Sequence, residues 1–308
     1  MATFAPMNGE KLKSIDPKDL PTRVLHQYLL GAVGPRPIAF ASTIDEEGRP
    51  NLAPFSFFNV FSANPPIMVF SPARSGRTNT TKNTYDNVKA VPEVVINIVD
   101  YKMVQQMSLT SSPYEAGIDE FVKGGFSKIK SEKVKPYRVA ESPVQFECKV
   151  NEVVELGHEG GAGNLVICEV VKLHLDPSVL DEKEMIDQTK IDLVARMGGN
   201  WYCRAHGTAP FEVEKPLTTC GIGLDSIPED IKQSKVLTGN HLGQLGNVEE
   251  LPDETEVNEY KLTDLSDLFV SLEDDAQQLE IELHQIAKKL LDENKVMEAW
   301  KTLLAFNN

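Results

Sequence analysis

The 308-residue sequence lacks a surplus of basic residues. Its 31 Lys and Arg stand against 46 Asp and Glu, a formal net charge of -15. That excludes a nucleic-acid binder working through a basic face, which phosphate backbones require. It also lacks long apolar runs. No stretch approaches the roughly 20 residues needed to span a bilayer, so no membrane partner is expected. Met1 to Asp16 is mixed and polar, without the charged-then-apolar order of an export signal. The cytoplasm is the expected compartment. Cysteine is scarce. Cys148, Cys168, Cys203 and Cys220 show no close CxxC or Cys/His metal spacing. No metal is expected, and a reducing compartment leaves all four as free thiols. No GxGxxG, P-loop or HExxH is present, and no Ser-His-Asp or Cys-His order stands out. No catalytic acid or base is therefore nominated.

What is present is ordinary for a soluble globular chain, with 41% hydrophobic and 25% charged residues. The length suits one large domain or two smaller ones. Charge separates the two. From Lys215 onward there are 19 acidic residues, 8 lysines and no arginine. The expected organisation is a main domain over residues 1–215 and an acidic extension with a C-terminal helix over 216–308.

Residues 1–20 read as an arm, and a short helix is expected over Thr22 to Leu30. Gly34-Pro35-Arg36-Pro37 is a rigid entry to a first strand, Ile38 to Ile44. Asp45 to Arg49 is a hairpin turn. A second strand starts near Asn51, and the third is Ile67 to Ser71. Thr80 to Val88 reads as a helix capped by threonine hydroxyls. Val94 to Val99 is nearly all apolar, which predicts burial on both faces. Asp100 caps a short helix. Ser111 to Glu141 is irregular and polar, too long for a plain connection, and reads as a lid or an edge insertion. Val144 to Leu156 and Leu165 to Leu175 are long strands around the loop Gly157 to Gly163. Many strands with only short helices predict a mainly β, closed antiparallel barrel. In the extension, Leu265, Leu268, Leu272, Ala276, Leu279, Leu283, Ile286 and Leu290 follow a helical period. Such a helix packs on its own barrel or spans a dimer.

The candidate site centres on Pro50 to Thr84. Ala53, Pro54, Phe55 and Ser56 offer strand backbone where a flat ring could lie; a plain edge strand explains Pro54 equally well. Lys82 and Thr84, with the amides of a helix start, form a candidate phosphate cradle. The alternative is a capped surface helix with a solvated lysine. Arg74 and Arg77 offer a second clamp. Asn59 and Asn97 either hold loops or touch a polyol. His158 is read as solvated and His174 as structural.

Several of these residues also carry a resemblance. Ala53-Pro54-Phe55-Ser56-Phe57-Phe58-Asn59, the pair Pro65-Pro66 and Lys82-Asn83-Thr84 resemble the flavin reductase-like FMN-binding split-barrel family, of the flavoredoxin and flavin reductase type. The phosphate loop there is commonly lysine-aspartate-threonine; here Asn83 replaces the aspartate. The resemblance runs from about Gly34 to about Phe211. It returns at Gly163 to Val171 and at Val194 to Gly199. It implies an FMN-binding split β-barrel of Greek-key antiparallel strands with short helices; the C-terminal helical extension, read from its own charge and period, lies beyond the resemblance. It implies a homodimer with FMN at its interface, NAD(P)H as hydride donor, and a small-molecule or protein electron acceptor. The cofactor-binding set is then Arg36, Asn51, Ala53, Pro54, Phe55, Ser56, Asn59, Ser71, Arg77, Lys82, Asn83, Thr84, Asn97 and Arg196. The rival readings are a ferric or other metal-complex reductase, an FMN electron carrier that does not itself oxidise NAD(P)H, and a barrel that has lost FMN.

Overall fold

The computed structural model describes residues 12–115 and 117–307. The expected N-terminal arm lies outside them as far as residue 11. The chain forms two compact units, Ser14–Phe211 and the part from Glu212 onward, which also takes residues 12–13.

In the first unit, a helix α1 (Thr22–Ala32) precedes four strands, β1 (Ala39–Ile44), β2 (Pro50–Phe55), β3 (Phe58–Ala63) and β4 (Pro66–Phe70). Helix α2 (Asn83–Ala90), strand β5 (Glu93–Asn97) and the short helices α3 (Val104–Leu109) and α4 (Glu120–Gly124) follow. The short strands β6 (Lys128–Ile129) and β7 (Arg138–Val139) pair with each other. The long strands β8 (Val144–Glu155) and β9 (Asn164–Leu175) come next, then β10 (Val194–Arg196) and β11 (Tyr202–Arg204), a second small pair. The main sheet has seven antiparallel strands in the order β2-β1-β5-β8-β9-β4-β3.

Two expectations are corrected. The sheet is not a closed barrel, because among the described residues no ladder joins its edge strands β2 and β3. The outer edge of β2 is met by a side chain instead: the Glu120 carboxylate accepts the Leu52 N–H at 3.0 Å. The strand expected as third is the fourth. The run Ala53 to Asn59 bends at Ser56 and Phe57, and the chain re-enters the sheet as β3. A polar bend inside an aromatic-rich run hides this break from a periodicity reading.

β1 is buried along its whole length because it faces two cores. Phe40 packs with Leu52, Met103, Met107 and Phe121 on one side, while Ala39 and Ala41 pack with Phe70, Val94 and Ile96 on the other. Side chains of one strand alternate between faces, so a strand between two cores has no solvent-facing position, and even its Ser42 and Thr43 are buried. The four cysteines are thiols. Cys148 and Cys168 are buried on the adjacent strands β8 and β9, and the Cys168 thiol bonds the Met68 carbonyl at 3.3 Å. The Cys168 sulfur, which favours the protonated form of Cys148 as a hydrogen-bond donor, and burial together raise the Cys148 pKa well above its usual value, so it is held as the thiol.

The second unit holds α5 (Glu229–Lys232), α6 (Gly239–Leu245), α7 (Glu254–Thr263), α8 (Ser266–Ser271), α9 (Ala276–Asp292) and α10 (Val296–Leu304). The heptad-like run is not one helix. It breaks between Leu272 and Ala276, where the Asp275 carboxylate caps α9 by accepting the Gln278 N–H at 2.9 Å. Its apolar stripe is used inside the unit. Leu279 and Leu283 pack with Val257 and Leu265, while Ala287 and Leu291 pack with Leu245, Trp300 and Leu303. No helix among the described residues is long and apolar enough to cross a membrane.

Candidate functional site

A pocket of about 490 Å³ opens in the first unit beside the free edge of β2. Its floor is Asn51 and the run Ala53 to Phe57. One wall is Ser71, Ala73 and Thr80 to Thr84. A second is Thr110 to Tyr114 with Glu120. The third is His26, Leu30, Arg36, Arg196 and Met197.

Backbone alternation explains the floor. Leu52 points its N–H away from β1, toward Glu120, so Pro54 exposes its carbonyl on the same free side. Proline has no N–H, so this edge presents an acceptor there and no donor. The chain then bends, and Ser56 is left with its hydroxyl in the pocket.

The wall around α2 is built for an anion. Lys82 is the N-cap residue of α2, in extended conformation. The expected helix start at Thr80 is thus corrected by three residues, and the threonines are not caps: Thr81 donates its hydroxyl to Asp86 at 3.0 Å. The amides of Asn83 and Thr84 are the first donors of the helix and have no partner among the described residues. The Thr84 hydroxyl is buried and accepts from Asn51 Nδ2 at 2.9 Å. Asn51 also bonds the Thr43 hydroxyl, to which Asn87 donates at 3.1 Å, so α2 is pinned to β1 and β2. The Ser71 hydroxyl accepts from the Asn164 N–H at 3.0 Å, and the Ser56 hydroxyl accepts from Arg36 Nε at 3.5 Å. Each of these three hydroxyls is fixed as an acceptor, which leaves its proton to donate into the pocket. Among the described residues the Lys82 side chain has no ion-pair partner.

Not every expected site residue is here. Arg36, Asn51, Ala53, Pro54, Phe55, Ser56, Ser71, Lys82, Asn83, Thr84 and Arg196 line the pocket; Asn59, Arg77 and Asn97 do not. Asn59 is exposed on β3 and its side-chain oxygen accepts the next N–H, that of Val60. Arg77 is exposed on the loop before α2, and the Arg74 guanidinium is committed to Asn79. Asn97 is fully buried, donating to the Phe40 carbonyl and accepting from the Val139 N–H. It is a staple between strands. His158 is exposed and lies outside the pocket, and His174 bonds the buried Glu147 at 2.7 Å.

The sequence reading missed His26, Leu30, Glu120 and Met197. Glu120 sits in the polar segment Ser111 to Glu141, whose excessive length was the available signal. Its carboxyl is buried, and burial raises its pKa above the usual value. An acid with a raised native pKa favours folding below its unfolded pKa, about 4.3, and that contribution is lost as pH rises through the native value. Glu120→Gln keeps an oxygen for the Leu52 N–H and cannot ionise. Its melting temperature is expected to gain on wild type as pH rises above about 4.3. Melting curves across that range check this; a difference that stays flat or shrinks contradicts it.

The chain belongs to the flavin reductase like domain family, whose model matches residues 32–191. An uncharacterised protein of Halalkalibacterium halodurans is 33% identical over 204 residues, covering 66% of this chain and 96% of that one. One from Aquifex aeolicus is 33% identical over 189 residues, covering 61% and 94%. Among solved structures, nitrilotriacetate monooxygenase component B from Bacillus cereus superposes with a TM-score of 0.62 at 27% identity, covering 66% of this chain and all of that one (100%). The 2-nitrobenzoate 2-nitroreductase of Pseudomonas fluorescens gives 0.60 at 26%, covering 68% and 100%. A Shewanella frigidimarina protein with a split barrel domain gives 0.54 at 25%, covering 64% and 96%. The open seven-stranded sheet is the split-barrel form of the fold.

Proposed function

We propose that the pocket holds FMN and that the protein is an NAD(P)H-dependent flavin oxidoreductase. The observation that carries this reading is the donor set around α2. Two amides and a lysine without partners among the described residues converge on one wall with the oriented hydroxyls of Ser71 and Thr84, and the Ser56 hydroxyl adds to them from the floor, which suits a dianionic phosphate. The floor suits the flat ring, with Pro54 giving a carbonyl and Phe55 an apolar face. Asn51 is a positioning residue, since it holds the Thr84 hydroxyl in place. Asn83, where the family commonly has aspartate, removes a negative charge from beside the phosphate.

FMN held by these residues would supply the redox chemistry between a nicotinamide hydride donor and an electron acceptor. The protein's part is to hold the phosphate, present one ring face and leave room for a second ring above it. No protein acid or base is required. Two copies of the chain are proposed to associate, supported by the exposure of Val60 and Phe61 on the edge strand β3 at 57% and 69%.

The test is anaerobic mixing of the FMN-loaded protein with NADH or NADPH. Bleaching of the flavin absorption at a rate that saturates with nicotinamide supports the reading. A bound flavin that bleaches with dithionite but with neither nicotinamide would make the protein an electron carrier instead.

A further inference from the structure

Arg36 and Arg196 lie side by side on the pocket's third wall. Their backbones exchange two hydrogen bonds, Arg36 N–H to the Arg196 carbonyl at 2.9 Å and the reverse at 2.8 Å. Arg36 is 6% exposed. Its Nη1 donates to the carbonyls of Leu30, at 2.7 Å, and Val33, and its Nη2 to that of Met197 at 2.9 Å. Among the described residues neither guanidinium has a carboxylate within 4 Å, and the charge acting on Arg36 is that of Arg196. Two like charges held together without a counter-ion are unfavourable, the more so when one is buried. A ligand anion would offset that cost.

The two arginines are not equivalent. Arg36 has its donors committed to protein oxygens, so it supplies charge and little direct contact. Arg196 is half-buried, lies 4.6 Å over the Tyr202 ring and, among the described residues, gives one bond, to the Trp201 carbonyl at 3.3 Å. The rest of its fork is free to receive an oxyanion in bidentate geometry. On the same side, His26 meets Phe57 edge-on at 6.2 Å, an aromatic flank for a flat partner. The donors suited to the flavin phosphate stand on the α2 wall, so this second positive wall is left for another reactant.

We propose that Arg196, backed by Arg36, is a subsite for a carboxylate or phosphate on the molecule that exchanges electrons with the flavin. The proposal rests on the flavin reading above. That molecule is either the nicotinamide donor, through its phosphate, or an anionic acceptor.

The experiment compares wild type, Arg196→Gln and Arg196→Lys as full-length FMN-loaded proteins. One arm supplies reduced nicotinamide mononucleotide or reduced nicotinamide riboside, which differ by a phosphate. The other supplies a benzoquinone carboxylate or its methyl ester as acceptor. In one arm the charged-to-neutral ratio of kcat/KM is expected to fall roughly tenfold or more in Arg196→Gln, through KM, as loss of a charged hydrogen bond requires. Arg196→Lys is expected to recover part of it. The arm that responds identifies the source of the anion. If both ratios stay at the wild-type value while FMN binds normally, the subsite is overturned alone. A wild type that takes up no FMN overturns the flavin reading and the subsite with it.

Discussion

Lys82→Ala is expected to weaken FMN binding roughly 10- to 150-fold and to leave riboflavin binding nearly unchanged. A hydrogen bond to a charged group contributes about 1.5–3 kcal/mol, and each 1.4 kcal/mol is about tenfold in affinity. Lys82 stands at the N-cap of an eight-residue helix, beside two unpaired amides and the Thr84 hydroxyl. Its positive end adds to that of the helix dipole. The side chain is exposed and has no carboxylate to leave behind, so its removal strands no partner and leaves the fold intact. Exposure also makes the contribution screenable. FMN affinity should fall with salt more steeply for wild type than for the variant. Titrations with both ligands at two ionic strengths check this. Equal weakening of FMN and riboflavin would assign Lys82 to the ring pocket or to the fold and remove it from the phosphate.

Trp300→Ala is expected to have the largest effect on stability. Trp300 is fully buried at the centre of the second unit, among Ile231, Leu245, Ala287, Leu291 and Leu303. Its indole N–H donates to the Leu245 carbonyl at 3.1 Å. Truncating a buried tryptophan costs about 3–5 kcal/mol, a large part of the roughly 5–15 kcal/mol that holds a domain together. The carbonyl left behind adds a desolvation cost. The unit should melt about 12–40 °C lower, at roughly 4–8 °C per kcal/mol for a domain of this size. The pocket is lined by residues of Ser14–Phe211, so FMN affinity should change little. Calorimetry and an FMN titration on the same sample check both halves. Loss of FMN binding together with the helical unit would assign the second unit a part in the site.

The local half of the site was legible because its chemistry is contiguous. Lys82, Asn83 and Thr84 follow one another at a helix start, and Ala53 to Ser56 follow one another along an edge. Their residue types state what they present to a ligand. The other half is assembled from afar. Glu120 reaches Leu52 across 68 residues of chain, and Arg36 reaches Met197 across 161. No period or spacing records such meetings. Asn97 was open to two readings for a physical reason. A polar side chain in an apolar strand signals either a ligand or a buried backbone group in need of a partner, and here it serves Phe40 and Val139. The closed barrel failed similarly, because strand count and strand spacing do not report whether two edges meet.

The most direct test of the account is a fluorescence titration of the full-length protein with FMN. A ring lying against Phe55 and the β2 edge loses its free-solution emission. The account expects quenching that saturates at one FMN per chain, with riboflavin binding more weakly by the phosphate's share. FMN emission that rises in proportion to added ligand, as it does in buffer, would contradict it.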